Sequence, residues 1–414
     1  MGKVVGIIAE YNPFHNGHLY HLLQAKDLAQ ADYVVAVISG NFTQRGDTSI
    51  VDKWTKAYMA ICGGCDLVLE LPTVYSISSA ENFASGAIKI LDSLKIVDSI
   101  AFGAEASDLA TLNNIANVLY TEPRGYTNIL THELQKGISF PSARENAILM
   151  YLNDIKRYAN ILNSPNNILA IEYLKALKTQ KSNMNPIMVK RSKVYYNDDR
   201  IVDDFASATA IRKLIKRREY EDLRKVVPRS TYKILSRQIR DGNIVLGLEN
   251  FEKEIIYTLR KMSIREIANL PDVSEGLENL IKNSADNCND MSKLIANIKS
   301  KRYTQTRIQR ILLYALLGID KKMMEDSKKV TPYVRVLGFT NKGKELISEI
   351  NKRNPKINMI TSVKKFIEKN NKPSNRTIMQ MLQKDIFATD VYTLGFDFES
   401  KANLDFTNNM IITN

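Results

Sequence analysis

The feature that most limits the fold is a rhythm in the first two hundred residues. Short runs rich in β-branched residues recur roughly every 30 residues: KVVGIIAE from Lys3, DYVVAVIS from Asp32, DLVLELP from Asp66 and SIAFGAE from Ser99. Between them lie stretches such as HLYHLLQAKDLAQ and AENFASGAIKILDSL, whose apolar residues keep the three-to-four spacing of a helix with one buried face. Strands alternating with helices fold as βαβ units on a parallel sheet covered on both faces. A further strand, NPIMVKRS, follows the helical NNILAIEYLKALKTQ, and SATAIRKLIKRR then opens a helix at a Ser/Thr cap. An α/β domain is expected over residues 1–225.

Beyond it the pattern turns helical. STYKILSRQIRDG, FEKEIIYTLRKM, EGLENLIKNSAD and RIQRILLYALLGI carry helical spacing without alternating strands, and YVRVLGFTNKGKELISEI adds a strand and a helix from Tyr333. The expected division is therefore a helical region at 226–330 and a small α/β element with a tail at 331–414. Charge follows the same division. Residues 1–200 hold 19 Lys and Arg against 19 Asp and Glu, whereas residues 201–414 hold 39 against 26, so the helical half carries the whole basic surplus. Such a surplus suits a polyanionic partner, because each Lys or Arg placed on a phosphate releases a counterion.

Other classes are excluded early. The first apolar run, Val4 to Ala9, meets Glu10 after six residues, too short for a membrane span or a secretory core. Three cysteines, Cys62, Cys65 and Cys288, make no disulfide framework, and a cytoplasmic protein is expected. The CGGC stretch lacks two further ligands at zinc spacing and reads as buried cysteines flanking a Gly-Gly helix stop.

The stretch YNPFHNGHLY, residues 11–20, sits where the first strand gives way to a helix beginning near Gly17 or His18. Unpaired backbone N–H groups and the helix dipole point at an anion in such a loop. Gly17 lets the backbone approach, and His15 and His18 add imidazole donors for charge growing on a phosphoryl group. Zinc lacks a third ligand, and a purely structural histidine pair leaves the proline turn and glycine unexplained.

HNGH after a first strand resembles the HxGH motif of the nucleotidyltransferase superfamily, and the Rossmann-like fold of its parallel-sheet domain is what the resemblance implies. That superfamily carries a late Ile-Ser-Ser-Thr-x-Ile-Arg motif. ASATAIR, residues 206–212, is similar in Ser207, Thr209, Ile211 and Arg212, with alanines at 206, 208 and 210. Taken with SGNFTQRGD, DLVLELP, FGAE, PNNILAIEYLKAL and KRYTQTRIQRILLYALL, the chain resembles the bacterial tRNA(Met) cytidine acetate ligase family to about residue 345. The resemblance implies an ATP- and acetate-dependent ligase, with Mg²⁺ on the phosphates, that forms N4-acetylcytidine at the wobble position of elongator tRNA(Met).

The same resemblance implies an ATP site made of Ile7, Ile8, Ala9, Glu10, Tyr11, Asn12, Pro13, Phe14, His15, Asn16, Gly17, His18, Leu19, Tyr20, Gly103, Asn166, Arg191, Ser207, Thr209 and Arg212, with His15 and His18 at the chemistry. By itself Gly103 reads either as a turn or as a glycine that lets a nucleotide lie against the backbone, Asn166 after Pro165 as a helix cap, Arg191 as a phosphate contact at a strand's carboxyl end, and Arg45 as part of a Gly-bounded loop that either closes over a nucleotide or is a mobile surface loop. For RNA, the stripe Arg302, Tyr303, Arg307 and Arg310 mixes cations with a ring, and Arg212–Arg218 is a second basic stretch near the site. The motif alone leaves open an adenylyltransferase making a dinucleotide cofactor and a non-catalytic nucleotide-dependent RNA-binding protein. Oligomeric state is not legible.

Overall fold

A computed structural model describes residues 1–106, 108–191, 205–274, 276–300, 302–370 and 372–414. The five expected strands form as β1 Val4–Ala9, β2 Tyr33–Ser39, β3 Leu67–Leu71, β4 Ser99–Ala104 and β5 Asn185–Lys190. They run parallel in the order β5-β4-β1-β2-β3. The chain works outward from β1 to β3 on one side and from β4 to β5 on the other, so a crevice opens at the carboxyl ends of β1 and β4, where the order reverses.

Alternation along each strand feeds two separate cores. Val4, Val35, Leu67, Leu69 and Ile100 face one apolar cluster, with the helices Ala80–Ser93 and Pro165–Thr179. Val5, Ile7, Val34, Ala36, Val68 and Ala101 face the other, with Asn16–Ala29, Lys53–Cys62 and Ala208–Arg217. The first cluster runs on through Ile255, Leu277, Leu312 and Leu382, so the helices of the second half share a core with the sheet. Between β4 and the Pro165–Thr179 helix the chain inserts the helices Leu109–Thr121, Arg124–Gln135 and Phe140–Leu152 and the short Ile155–Tyr158, of which the early rhythm carries no sign.

The strand after Tyr333 does not found a small sheet of its own. It forms β6, Val334–Phe339, antiparallel to β3, and β7 Met359–Ile360 and β8 Ile411–Ile412 pair with it. Every residue of β3 is buried, and an edge that apolar must be covered. Charges lie in this seam. Lys53 reaches Glu70 Oε1 at 3.0 Å and Asp405 Oδ1 at 2.7 Å, while Arg335, the register partner of Glu70, meets Glu70 Oε2 at 3.3 Å and also Asp405. Among the described residues no helix is long and apolar enough to cross a membrane.

The Gly-Gly helix stop ends the Lys53–Cys62 helix as expected. The cysteines differ, however: Cys65 is buried against Tyr11 and its thiol is pushed up to about 12, while Cys62 is exposed on the last helical turn. Among the described residues no three metal-ligating side chains converge.

Candidate active site

The loop after β1 is shaped by its own side chains. Asn12, followed by a cis Pro13, is buried and clamps the neighbouring loop, donating from Nδ2 to Thr48 O at 2.9 Å and accepting from Ile50 N–H at 2.7 Å. Tyr11 and Phe14 meet edge to face at 4.8 Å, and Tyr11 packs likewise against His18 at 4.9 Å. The helix begins at Asn16, with His15 as its cap residue. The His15 and His18 rings then stack at 3.7 Å.

Protonation follows from this packing. The His15 N–H donates to His18 Nδ1 at 3.3 Å, so the proton of a neutral His18 sits on Nε2. Burial, then the Arg191 and Arg212 cations, lower His15 to about 3. Burial followed by the charge of His15 lowers His18 well below its usual value, and burial with Arg191 lowers His21 to about 4. Among the described residues, His15 Nδ1 and His21 Nε2 are buried without a hydrogen-bond partner. Three neutral imidazoles beside two guanidiniums form a site that an anion completes.

The late motif closes over this loop. Ser207 caps the Ala208–Arg217 helix by accepting from Ala210 N–H at 3.1 Å, and Thr209 Oγ1 holds Arg212 at 3.3 Å. Arg212 in turn donates to Asn12 O at 3.1 Å, tying the two motifs together across 200 residues. Ala210 is buried and supplies the N–H that Ser207 accepts, and Arg212 keeps its place despite the departures from the superfamily pattern. These groups line one cavity of about 470 Å³, together with Gly103, Asn166 and Arg191, a size suited to a nucleotide.

Comparison with known proteins now becomes informative. Residues 2–405 match the family described as HIGH Nucleotidyl Transferase. The chain belongs to this family. Within it, the chain is 46% identical over 408 residues, 99% of each chain, to the tRNA(Met) cytidine acetate ligase of Thermoanaerobacter sp. strain X514. It is 42% identical to the protein of that name from Acetivibrio thermocellus, covering 99% of this chain and all of the other. Two crystal structures of Thermotoga maritima TmcAL, 34% identical, superpose with TM-scores of 0.94 for the apo form and 0.91 for the form bound with alpha-thio ATP, the first covering 99% of both chains and the second 99% of this chain and all of the other.

Gly103, Arg191 and Asn166 make up one wall of the cavity, and it is braced by Glu105, which the sequence reading missed. Asn166 is not a cap: it is the second residue of the Pro165–Thr179 helix, and its Nδ2 donates to Glu105 while its Oδ1 accepts from Arg191 at 3.4 Å. Arg191 lies 3.6 Å from the Glu105 carboxylate. Asn167 fixes the turn by accepting from the N–H groups of Glu105 and Ala106 at 2.9 and 3.0 Å. A side chain at Gly103 would crowd Arg191 Cγ at 3.3 Å. An acidic residue one turn from a strand-end glycine was the available signal for Glu105.

Not every expected residue reaches the cavity. Ile7 and Phe14 are wholly buried in the core, Asn16 turns away to donate to Lys225 O at 2.9 Å, and Pro13 and Leu19 lie off the lining. The 302–310 stripe fares differently from its expectation. Tyr303 is buried, with Arg307 over its ring at 5.1 Å, so the ring is not open to a base. Arg307 donates to Asp272 O at 2.9 and 2.7 Å, and Arg310 to Asp272 Oδ2 at 3.0 Å. Helix packing consumes those side chains because Ile308 and Ile311 on the same helix are core. Arg302 is exposed. Arg310, Arg45 and Thr306 line the ATP-side cavity instead.

Proposed function

We propose that the protein is an ATP-dependent tRNA(Met) cytidine acetate ligase, with ATP handled by residues 1–225 and tRNA met chiefly by 226–330. One observation supports this most: the Arg212 bond to Asn12 O joins both phosphate-handling motifs on one cavity, in a chain whose 46% identical relatives carry that name. A cytosine amine is a poor nucleophile and acetate a poor electrophile, so acetate must first gain a leaving group. Acetate attacks the α-phosphate of ATP in line and pyrophosphate departs. The cytidine N4 amine then attacks the acetyl carbon and releases AMP. No covalent enzyme nucleophile is required, only positioning and charge stabilisation.

His18 would donate from Nε2 to the α-phosphate, and Arg191 and Arg212 would balance the triphosphate. Mg²⁺ would be carried on the phosphates with its own waters, since among the described residues the cavity offers Glu10 and Asp47 alone as carboxylates. The substrate sets this work in the cytoplasm.

The tRNA backbone has a better surface than the 302–310 stripe. From Arg212 to Arg240 the chain holds 11 Lys and Arg against 3 Asp and Glu, on successive helices of which the first, Ala208–Arg217, starts at the cavity. On the Arg229–Arg240 helix, Arg229, Lys233, Arg237 and Arg240 are exposed along one side while Thr231 and Leu235 are buried on the other. Changing Lys233 and Arg237 to Glu should weaken tRNA binding about tenfold and reduce its salt slope by about 2. Filter binding at graded salt reads this, and an unchanged slope would remove the surface from the reading.

The function itself is tested by ATP–pyrophosphate exchange with and without acetate, then by acetyl transfer to unmodified tRNA(Met). Exchange is expected to require acetate. Exchange indifferent to acetate, or driven by a nucleoside monophosphate, would overturn the reading in favour of a dinucleotide-forming adenylyltransferase.

A further inference from the structure

The adenylation chemistry leaves one feature of the cavity unused. Past the histidines, its wall continues through Glu10, Thr43 and Gln44 to Ala80, Phe83, Phe102, Leu169 and Tyr173. This side is an apolar floor formed by the small exposed parts of the core rings Phe83, Phe102 and Tyr173, 2%, 4% and 4% exposed, unlike the cationic side that holds Arg191 and Arg212. Triphosphate does not need it. An unstacked base can rest on such a floor, since flipped bases are held against aromatic and apolar side chains.

A carboxylate stands at the border of the two sides. Glu10 follows the last residue of β1 and is anchored twice: Gln44 N–H donates to its Oε1 at 2.7 Å, and the buried Lys56 ammonium donates to its backbone O at 3.2 Å. Gln44 is itself held by its side-chain donation to Ser78 O at 3.2 Å, so the loop carrying the donor is fixed to the start of the Ala80–Ser93 helix. Burial pushes the Tyr173 hydroxyl up and the Glu10 charge adds to it, in keeping with the two residues lining one cavity. Among the described residues the other carboxylate on the wall is Asp47, which accepts from Thr48 N–H at 2.9 Å and from Leu248 N–H and lies beside Arg212 and Glu249. One N–H bond leaves a carboxylate with lone pairs to spare.

Resting on the ligase reading, we infer that Glu10 is a catalytic residue of the second half-reaction, accepting a hydrogen bond and then a proton from the N4 amine of the incoming cytosine. Carboxylates accept from cytosine N4, and a uracil would bring a carbonyl oxygen to the same place and be repelled. As the N4 nitrogen bonds to the acetyl carbon, the carbon–oxygen bond to AMP breaks, the electron pair leaves with the phosphate, and one N4 proton passes to Glu10 and on to solvent. The position at the end of β1, five residues before His15, brings acceptor and activated acyl group to the same point in the crevice.

The test separates the two half-reactions. Chemically prepared acetyl-adenylate and unmodified tRNA(Met) are mixed with the full-length protein in single turnover, and acetate-dependent ATP–pyrophosphate exchange is measured on the same samples. Glu10→Gln keeps an oxygen for Gln44 N–H, and transfer is expected to fall about 100-fold more than exchange. Glu10→Asp restores part of that transfer and carries the test if the Gln variant fails to fold. Equal losses in transfer and exchange, with a raised Mg²⁺ requirement, would make Glu10 a servant of ATP and overturn the inference. Transfer as fast as wild type in both variants would overturn it as well. A wild-type protein that transfers nothing would fail the ligase reading, a distinguishable outcome.

Discussion

Replacing His18 by alanine is expected to lower acetate-dependent ATP–pyrophosphate exchange by about 10²- to 10³-fold, the scale on which a single preorganised donor to a developing charge acts. The effect should lie in the rate at saturating ATP more than in ATP affinity, because Arg191, Arg212 and the helix start remain to hold the triphosphate. His18 is oriented three ways: its Nδ1 takes the His15 N–H, its ring stacks on His15, and Tyr11 meets its face. Little reorganisation is then left for the transition state. Exchange within threefold of wild type would show that the ring only caps the helix.

Removing the Asp405 carboxylate should have the largest effect on stability. Lys53 is fully buried, Arg335 nearly so, and both share Asp405 and Glu70. Lys53 and Arg335 hold Asp405 below the usual carboxylate range despite its burial, whereas burial, then the Glu70 charge, push nearby Asp385 up to about 7 against the lowering effect of Lys53 and of the Tyr333 hydroxyl that donates to it. Asp405→Ala leaves two buried cations facing one carboxylate, and breaking such a set costs about 3–5 kcal/mol. Urea unfolding of the variant reads this as a lower midpoint at constant slope. A loss below about 1 kcal/mol would mean that water reaches Lys53 and Arg335. The result bears on function, since Lys53 opens the helix whose next turn carries Lys56, and Lys56 holds Glu10 O, Ser39 O and Gly40 O under the site.

That network lay in the part of the chain which local pattern left unassigned. The last hundred residues reach the site's supports through contacts more than 300 residues apart: Tyr392 donates to Ser49 O at 2.8 Å, Asn41 to Thr389 at 3.1 Å, and Thr73 N–H to Asp385 at 2.7 Å. No periodicity announces a partner at that separation, because period reports only which face of an element is apolar.

The parallel strands, the anion-ready loop of His15 and His18 and the cap at Ser207 were legible because each depends on short-range rules: alternation, helix spacing, and a side-chain oxygen one turn from a backbone N–H. Which cations stay free for RNA was not. Arg302, Tyr303, Arg307 and Arg310 look like an open stripe until Asp272 and the helix core claim most of them, while Arg229, Lys233 and Arg237 keep their exposure because their helix buries the opposite side. Sequence by itself determined the fold class, the phosphate chemistry and the sign of the partner. Tertiary structure decided how Glu105 and Asn167 brace the cavity wall at Gly103, how the C-terminal strand seals β3, and where Glu10 stands, since burial and pairing are properties of neighbours brought together by folding rather than of residues in a row.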